Sequence, residues 1–161
     1  GVVDVVVTTI YGSGTLGNGF TYGVVPSVTA IGPNFGPEPG ATAVTITGTG
    51  FTAASTVLIG GVPATVVTFV SETSLTAISP AHSAGVVDVV VTTTYGSGTL
   101  SGGFTYGVVP SVSAISPNFG PEPGGTAVTI TGAGFTAAST VQIGGQPATG
   151  VIFVSDRKRA A

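Results

Sequence analysis

Short runs of β-branched residues, separated by glycine- and proline-rich turns, recur along the whole chain. Residues 42–47 (TAVTIT) alternate apolar and polar side chains, the period of two that a strand with one buried face requires. Comparable runs over 27–31, 56–59, 64–70, 74–78, 86–93 and 99–106 predict further strands. Pro33 to Gly40 and residues 80–84 read as loops, Gly60-Gly61 as a turn, and Tyr95-Gly96-Ser97-Gly98 as the link within the last strand pair. Gly48-Thr49-Gly50 interrupts the pattern just before Phe51, an isolated aromatic between two strand runs and therefore a predicted core residue. About seven short strands with no helical period predict an all-β sandwich.

The pattern repeats. GVVDVVVTT at the start returns from Gly85, and VPSVTAIGPNFGPEPG from Val25 returns as VPSVSAISPNFGPEPG from Val109. Both offsets are 84 (85 − 1 and 109 − 25), and residues 1–71 match residues 85–155 at roughly 60 of 71 positions. After Ser155 the match ends, with Asp156-Arg157-Lys158-Arg159-Ala160 facing Glu72-Thr73-Ser74-Leu75-Thr76. Pro26 opens a new extended run and marks a junction. The expected organisation is the last two strands of a preceding repeat (1–24), one complete sandwich (25–107), the front of a following repeat (108–155) and a divergent basic tail (156–161).

Residues 26–33 (PSVTAIGP), 40–51 (GATAVTITGTGF), 57–63 (VLIGGVP) and 103–106 (GFTY) give the complete unit a family likeness. It resembles an IPT/TIG domain, and the partial units carry pieces of the same motifs. The resemblance implies an immunoglobulin-like β-sandwich of the kind found in bacterial surface proteins. It also implies a scaffold without shared catalytic residues, so it assigns no site. The DNA-binding members of that family use basic loops, which this sequence lacks.

Charge narrows the choice of partners. Charged residues make up 6% of the chain, against about 25% in an ordinary globular domain. Arg157, Lys158 and Arg159 are its only cationic residues besides the terminus, so the body has nothing with which to displace counterions from phosphate. Nucleic acid is excluded as a partner. No apolar run approaches the roughly 20 residues of a spanning helix, so membrane insertion is not expected. With no cysteine, disulfides and thiolate metal sites are ruled out. With no methionine, Gly1 is not a translation start, and the chain is expected to be a processed product or a fragment.

Candidate chemistry is sparse. His82, the single histidine, has no nucleophile-elbow motif beside it and reads as a solvated loop residue. Glu38 and Glu122 each sit alone in a GPEPG motif. Calcium needs six or more oxygens, so a rigid proline-flanked turn is the better reading. Asp4 and Asp88, inside GVVDVVV, read as outward or edge charges that discourage sheet-to-sheet aggregation. Tyr11, Tyr22, Tyr95 and Tyr106 are expected on the surface, with the phenylalanines mostly inside. A tyrosine joins an apolar body to a polar tip, which suits both sugar stacking and packing at domain junctions. These four are the candidate ligand or junction contacts, and both readings stay open. No catalytic, metal or cofactor-binding residue is assigned.

The expected function is that of a non-enzymatic structural or adhesive repeat protein, extracellular or on the cell surface, forming a stalk or filament. The two partial units each expose strand edges, so self-association is expected by head-to-tail strand complementation between copies of the chain. In a longer array, covalent neighbours would complete each unit instead. The alternative function is a carbohydrate-binding module that takes surface glycans.

Overall fold

The computed structural model describes residues 1–154; the basic tail at 156–161 lies outside the described residues. Every regular element among them is a strand. The chain divides into two compact units, Gly1–Tyr106 and Gly107–Ala161.

In the first unit, β1 (Val2–Thr9) and β2 (Gly12–Thr21) form a hairpin on their own. Nine further strands follow. They are β3 (Ser27–Gly32), β4 (Phe35–Pro37), β5 (Ala43–Thr49), β6 (Thr56–Ile59), β7 (Val62–Pro63), β8 (Thr65–Ser71), β9 (Ser74–Ile78), β10 (Gly85–Thr93) and β11 (Gly96–Gly107). They make a four-stranded sheet in the order β3-β5-β9-β8 and a five-stranded sheet in the order β4-β11-β10-β6-β7. β4 and β7 fall where only loop and turn were expected. Both are sheet edges and both end on a proline (Pro37, Pro63). An edge is where a strand tolerates a residue with no N–H, and proline there blunts further pairing.

The two sheets close on one apolar core. Val44, Ile46, Leu75 and Ala77 enter from the four-stranded sheet, and Val57, Ile59, Val89, Val91, Phe104 and Tyr106 from the other. Strand β5 alternates strictly, with Val44, Ile46 and Gly48 inward and the threonines outward, as the TAVTIT pattern requires. Phe51 fills the core between the sheets as expected. Its amide donates to the Glu72 carbonyl at 3.0 Å. Gly48 makes room for it, since a Cβ there would collide with the Phe51 ring and the Ser27 carbonyl. The expectation that phenylalanines lie mostly inside fails. Within the complete sandwich Phe51 and Phe104 are buried, whereas Phe35 and Phe69 are exposed: both lie on edge strands, and Phe69, although it faces Leu75 across the ladder, has no neighbouring strand on its outer side to cover it.

The β10–β11 hairpin carries a bulge. Val87 pairs with Phe104 and Val89 with Leu100, so Asp88 alone faces residues 101–103. The two extra residues keep Leu100 and Phe104 on the same face. The Asp88 carboxylate accepts a hydrogen bond from the Gly102 amide at 2.8 Å. In β1–β2 the bulge has the same register, and Asp4 accepts from the Asn18 amide at 2.7 Å. The edge reading of Asp88 is therefore corrected. It is exposed, but β10 lies between β11 and β6, and the carboxylate satisfies an amide that the bulge removes from the ladder.

In the second unit, β12 (Ser111–Ser116) pairs with β13 (Thr129–Ala133), and β14 (Gln142–Ile143) with β15 (Gln146–Pro147). Their registers are those of β3–β5 and β6–β7 shifted by 84. Val112 and Ile143, whose repeat equivalents Val28 and Ile59 are buried, lie exposed here.

Repeat differences report on the backbone. Among the described residues, the non-glycine residues with positive φ are Asn18 (54°), Ala41 (61°) and Val66 (51°). The position 84 residues on is glycine in each case, and Gly102 (60°), Gly125 (81°) and Gly150 (65°) keep the left-handed conformation. Asparagine tolerates that region; a β-branched residue does not.

Two expectations follow from this packing. Phe51→Ala removes a fully enclosed ring and should cost about 3–5 kcal/mol; a loss under about 1 kcal/mol in chemical denaturation would refute the core assignment. Val66 is 73% exposed, so Val66→Gly loses no core contact while it relieves the left-handed strain. Net of the greater chain entropy of glycine, it should stabilise by about 0.5–1 kcal/mol, and a lowered denaturation midpoint would contradict the strained backbone.

Candidate functional site: the tyrosine positions at the two ends of the sandwich

β11 runs the length of the complete sandwich, with Tyr95 just before its start and Tyr106 near its finish. The hairpin turn is Thr94-Tyr95, tighter than the four-residue link expected. Thr93 Oγ1 accepts from the Tyr95 amide at 3.1 Å and donates to the Gly96 carbonyl at 3.4 Å. Ser97 lies within β11, its hydroxyl 2.8 Å from that of Thr92 across the ladder. Thr9, Tyr11 and Gly12 repeat the threonine turn in the first hairpin.

At the Tyr95 end the chain enters the sandwich. A Cβ on Gly23 would run into the Tyr95 ring, one on Gly96 would meet Val25, and one on Gly98 would strike the Pro26 carbonyl. The incoming segment thus lies against the hairpin tip at backbone distance. Val24 and Tyr95 line a cleft of about 140 Å³ with Gly50, Phe51, Thr52 and Glu72. The cleft offers one carboxylate (Glu72) and two hydroxyls (Thr52 and Tyr95), with no histidine or lysine among its lining residues. Tyr95 packs against the incoming segment and is partly covered. Tyr11, in the same turn of the first hairpin, is 93% exposed.

At the opposite end, Tyr106 is 1% exposed, which corrects its placement on the surface. Alternation along β11 puts it on the inward face with Phe104, edge to face at 4.9 Å. Its hydroxyl donates to the Pro80 carbonyl at 2.8 Å, so the polar tip is satisfied and the ring can be core. Tyr22, its equivalent in the first hairpin, is 65% exposed and touches Phe20 edge to face. The His82 ring stacks on Tyr106 at 5.1 Å, and its Nδ1 donates to the Ser83 carbonyl at 2.7 Å. His82 is half-buried rather than freely solvated. Glu38 ties the neighbouring loop down: its carbonyl accepts from the His82 amide and its Oε1 from the Ala84 amide, at 2.9 and 2.8 Å. The proline-flanked turn forms in both copies, through Gly40 to Pro37 and Gly124 to Pro121, each 2.9 Å. No group of three His, Cys, Asp or Glu side chains converges as a metal site among the described residues.

Two features escaped the sequence reading, the bulge cap by Asp88 and the close approach of Gly23 to Tyr95. The first had a usable signal in the glycine-rich GNG and SGG that follow Leu16 and Leu100.

The IPT/TIG domain model matches residues 26–106 and again 110–159. The chain belongs to the IPT/TIG domain family. The larger match ends at Tyr106, the residue whose burial closes the sandwich. Among curated proteins none matches the chain. Among solved structures, the chain is similar to the plexin A4 extracellular region (23% identity, TM-score 0.47, 68% of this chain and 10% of that one). It is also similar to an auxiliary nutrient binding protein from Bacteroides ovatus (28%, 0.45, 56% and 22%). A third match is SGBP-B from a complex xyloglucan utilization locus in Bacteroides uniformis (21%, 0.45, 64% and 29%). The chain therefore spans less than a third of the length of each.

Burial pushes the Tyr106 phenol above its ordinary value of 10.0, with a smaller opposing effect of the Ser79 hydroxyl. Its proton is thus held more tightly in the folded state. The resulting stability is complete below the unfolded value of about 10 and is lost as pH rises through the folded one. Denaturation midpoints should hold up to about pH 10 and then fall. Tyr106→Phe should remove that component of the alkaline loss and cost about 1–3 kcal/mol at neutral pH by stranding the Pro80 carbonyl. An unchanged alkaline profile in the variant would refute the assignment.

Proposed function

We propose that the chain is a stretch of a non-enzymatic extracellular repeat protein whose sandwiches are joined end to end as a stalk or filament. The observation that carries this reading is where the chain enters and leaves. Residues 23–26 dock against Tyr95 and Gly98 at the start of β11, and the chain departs after Tyr106 at its far end. Twelve residues of strand separate the two, about 40 Å at 3.3–3.4 Å each. A domain with its termini at opposite ends is suited to serial connection. The near-identity of the copies supports the same reading, because each junction can be built from the same residues.

The absence of catalysis is inferred from the arrangement of polar groups. Asp88, Glu38 and His82 each bind backbone or pack within the sandwich, which leaves them structural work rather than converging on one pocket. The extracellular setting is inferred from a surface of Thr, Ser and Gly with few charges. Adhesive contact with glycans falls to Tyr11, Tyr22 and Tyr95, since Tyr106 is enclosed.

Electron micrographs of the native protein should show thin filaments or stalks with an axial repeat near 40 Å per 84 residues. Compact particles with no such repeat would refute the stalk. Polysaccharide binding lost on Tyr11→Ala or Tyr95→Ala would favour the carbohydrate-binding alternative.

A further inference from the structure

The hairpin bulge admits few residues, and in the first copy the pair it admits is chemically reactive. Residues 17–19 face Asp4 alone, between the pairs Val3–Phe20 and Val5–Leu16. The middle position is left-handed in both copies, at 54° for Asn18 and 60° for Gly102, a conformation that glycine and asparagine adopt most readily. The third position is tight for anything but glycine. A Cβ on Gly19 would stand 2.9 Å from Cδ2 of Leu16, and one on Gly103 2.8 Å from Cδ2 of Leu100. The bulge thus favours an Asn-Gly or Gly-Gly pair, and GNG at 17–19 stands where the copy has SGG at 101–103. It lies on the surface whether or not the hairpin is covered, since Ser101 and Gly102 are exposed in the complete sandwich just as Gly17 and Asn18 are here. The Asn18 backbone amide donates to the Asp4 carboxylate, while the side-chain carboxamide makes no hydrogen bond among the described residues.

We propose that Asn18 is a modification site, converted in the folded chain through a cyclic succinimide to aspartate and isoaspartate. The backbone nitrogen of Gly19, having lost its proton to solvent base, attacks the side-chain carbonyl carbon of Asn18. A C–N bond closes the ring, and the side-chain nitrogen takes up a proton and leaves as ammonia. Water then opens the ring. Attack at the side-chain carbonyl restores the ordinary main chain and leaves aspartate; attack at the backbone carbonyl leaves isoaspartate, with the main chain running through the side-chain carbon. Over the whole sequence one water enters and one ammonia departs, with no change of oxidation state. Glycine leaves the attacking nitrogen most open, because it carries no side chain. Gly102 has no carboxamide to react, and Asn34 and Asn118 precede Phe35 and Phe119, whose side chains crowd that nitrogen. The product sets a new carboxylate beside that of Asp4, which holds the amide of the same residue at 2.7 Å. No lysine or arginine lies between 1 and 154 to offset the pair, and like charges so placed repel. Isoaspartate also lengthens a strand whose register is fixed on both sides of the bulge. The modification loosens the bulge cap of one copy and spares that of the other. It is independent of the stalk reading.

The test holds the full chain, folded, at neutral and at mildly alkaline pH, then digests samples with pepsin in acid and follows the peptides by mass spectrometry, isoaspartate being separated from aspartate by chromatography against synthetic standards. Asn18 should convert to a mixture of both products, faster at the higher pH, and at least about tenfold faster than Asn34 or Asn118 because only Asn18 precedes glycine. The chain carrying Asn18→Gly, a residue the bulge already accepts at Gly102, should yield no such product from residues 1–24. In the converted chain the amide of residue 18 should exchange its hydrogen faster, while that of Gly102 keeps its rate. If Asn18 converts in urea-unfolded chain but stays intact over the same interval in folded chain, the bulge shields it and the proposal is overturned. Aspartate without isoaspartate would mean direct hydrolysis and overturns the succinimide route. Conversion no faster than at Asn34 overturns the site, and unchanged amide exchange after conversion overturns the loosened cap.

Discussion

A β-hairpin with one apolar face cannot cover that face itself, and the organisation of this chain follows from where two copies of one hairpin find their cover. In the complete sandwich, β10 and β11 present Val89, Val91, Phe104 and Tyr106 to the opposite sheet, and all four are enclosed. The first hairpin has the same strand register and the same bulge, yet its equivalent residues stay open to solvent. Local sequence therefore makes the hairpin, and the facing sheet makes it a core. Hydrogen bonds within a two-stranded ribbon are satisfied without a partner, whereas apolar burial requires a second surface.

Within that frame, polar groups do structural work. Asp88 accepts the hydrogen bond that the Gly102 amide loses from the ladder at the bulge, Thr93 closes the tip of the hairpin, and Glu38 ties two loops together at the far end. Each of these groups meets a backbone atom rather than another titratable side chain. An IPT/TIG scaffold of this kind is held together by local satisfaction of the backbone and by one apolar layer. What remains for function is the geometry of its two ends and of its sheet edges. The edges of the complete five-stranded sheet are the short proline-bearing strands β4 and β7.

The copies also act as an internal comparison. At the three positive-φ positions occupied by Asn18, Ala41 and Val66, the repeat partner is glycine. The backbone conformation is the same at each of these pairs while the side chain differs. Val66 shows the tension most clearly, because the irregular register between β8 and β9 places a β-branched residue where glycine is at ease.

By itself, the sequence determined the strands other than the short edge strands β4 and β7, the 84-residue period, the all-β class and the family. Period-two alternation in TAVTIT and GVVDVVVTT is a local property, and identity between copies needs no coordinates. Phe51 was also legible, since an aromatic after a glycine-rich break has few places to go but inward. The tertiary structure alone decided which tyrosine is a surface group and which is core. Tyr11 and Tyr95 take the same place in the hairpin turn, and Tyr22, just past β2, is the repeat equivalent of Tyr106 within β11. Their environments differ because the incoming segment covers Tyr95, and because Pro80, His82 and the facing sheet enclose Tyr106. Near-identical local sequence cannot encode that difference, for burial belongs to the pair of surfaces that meet and not to either one alone.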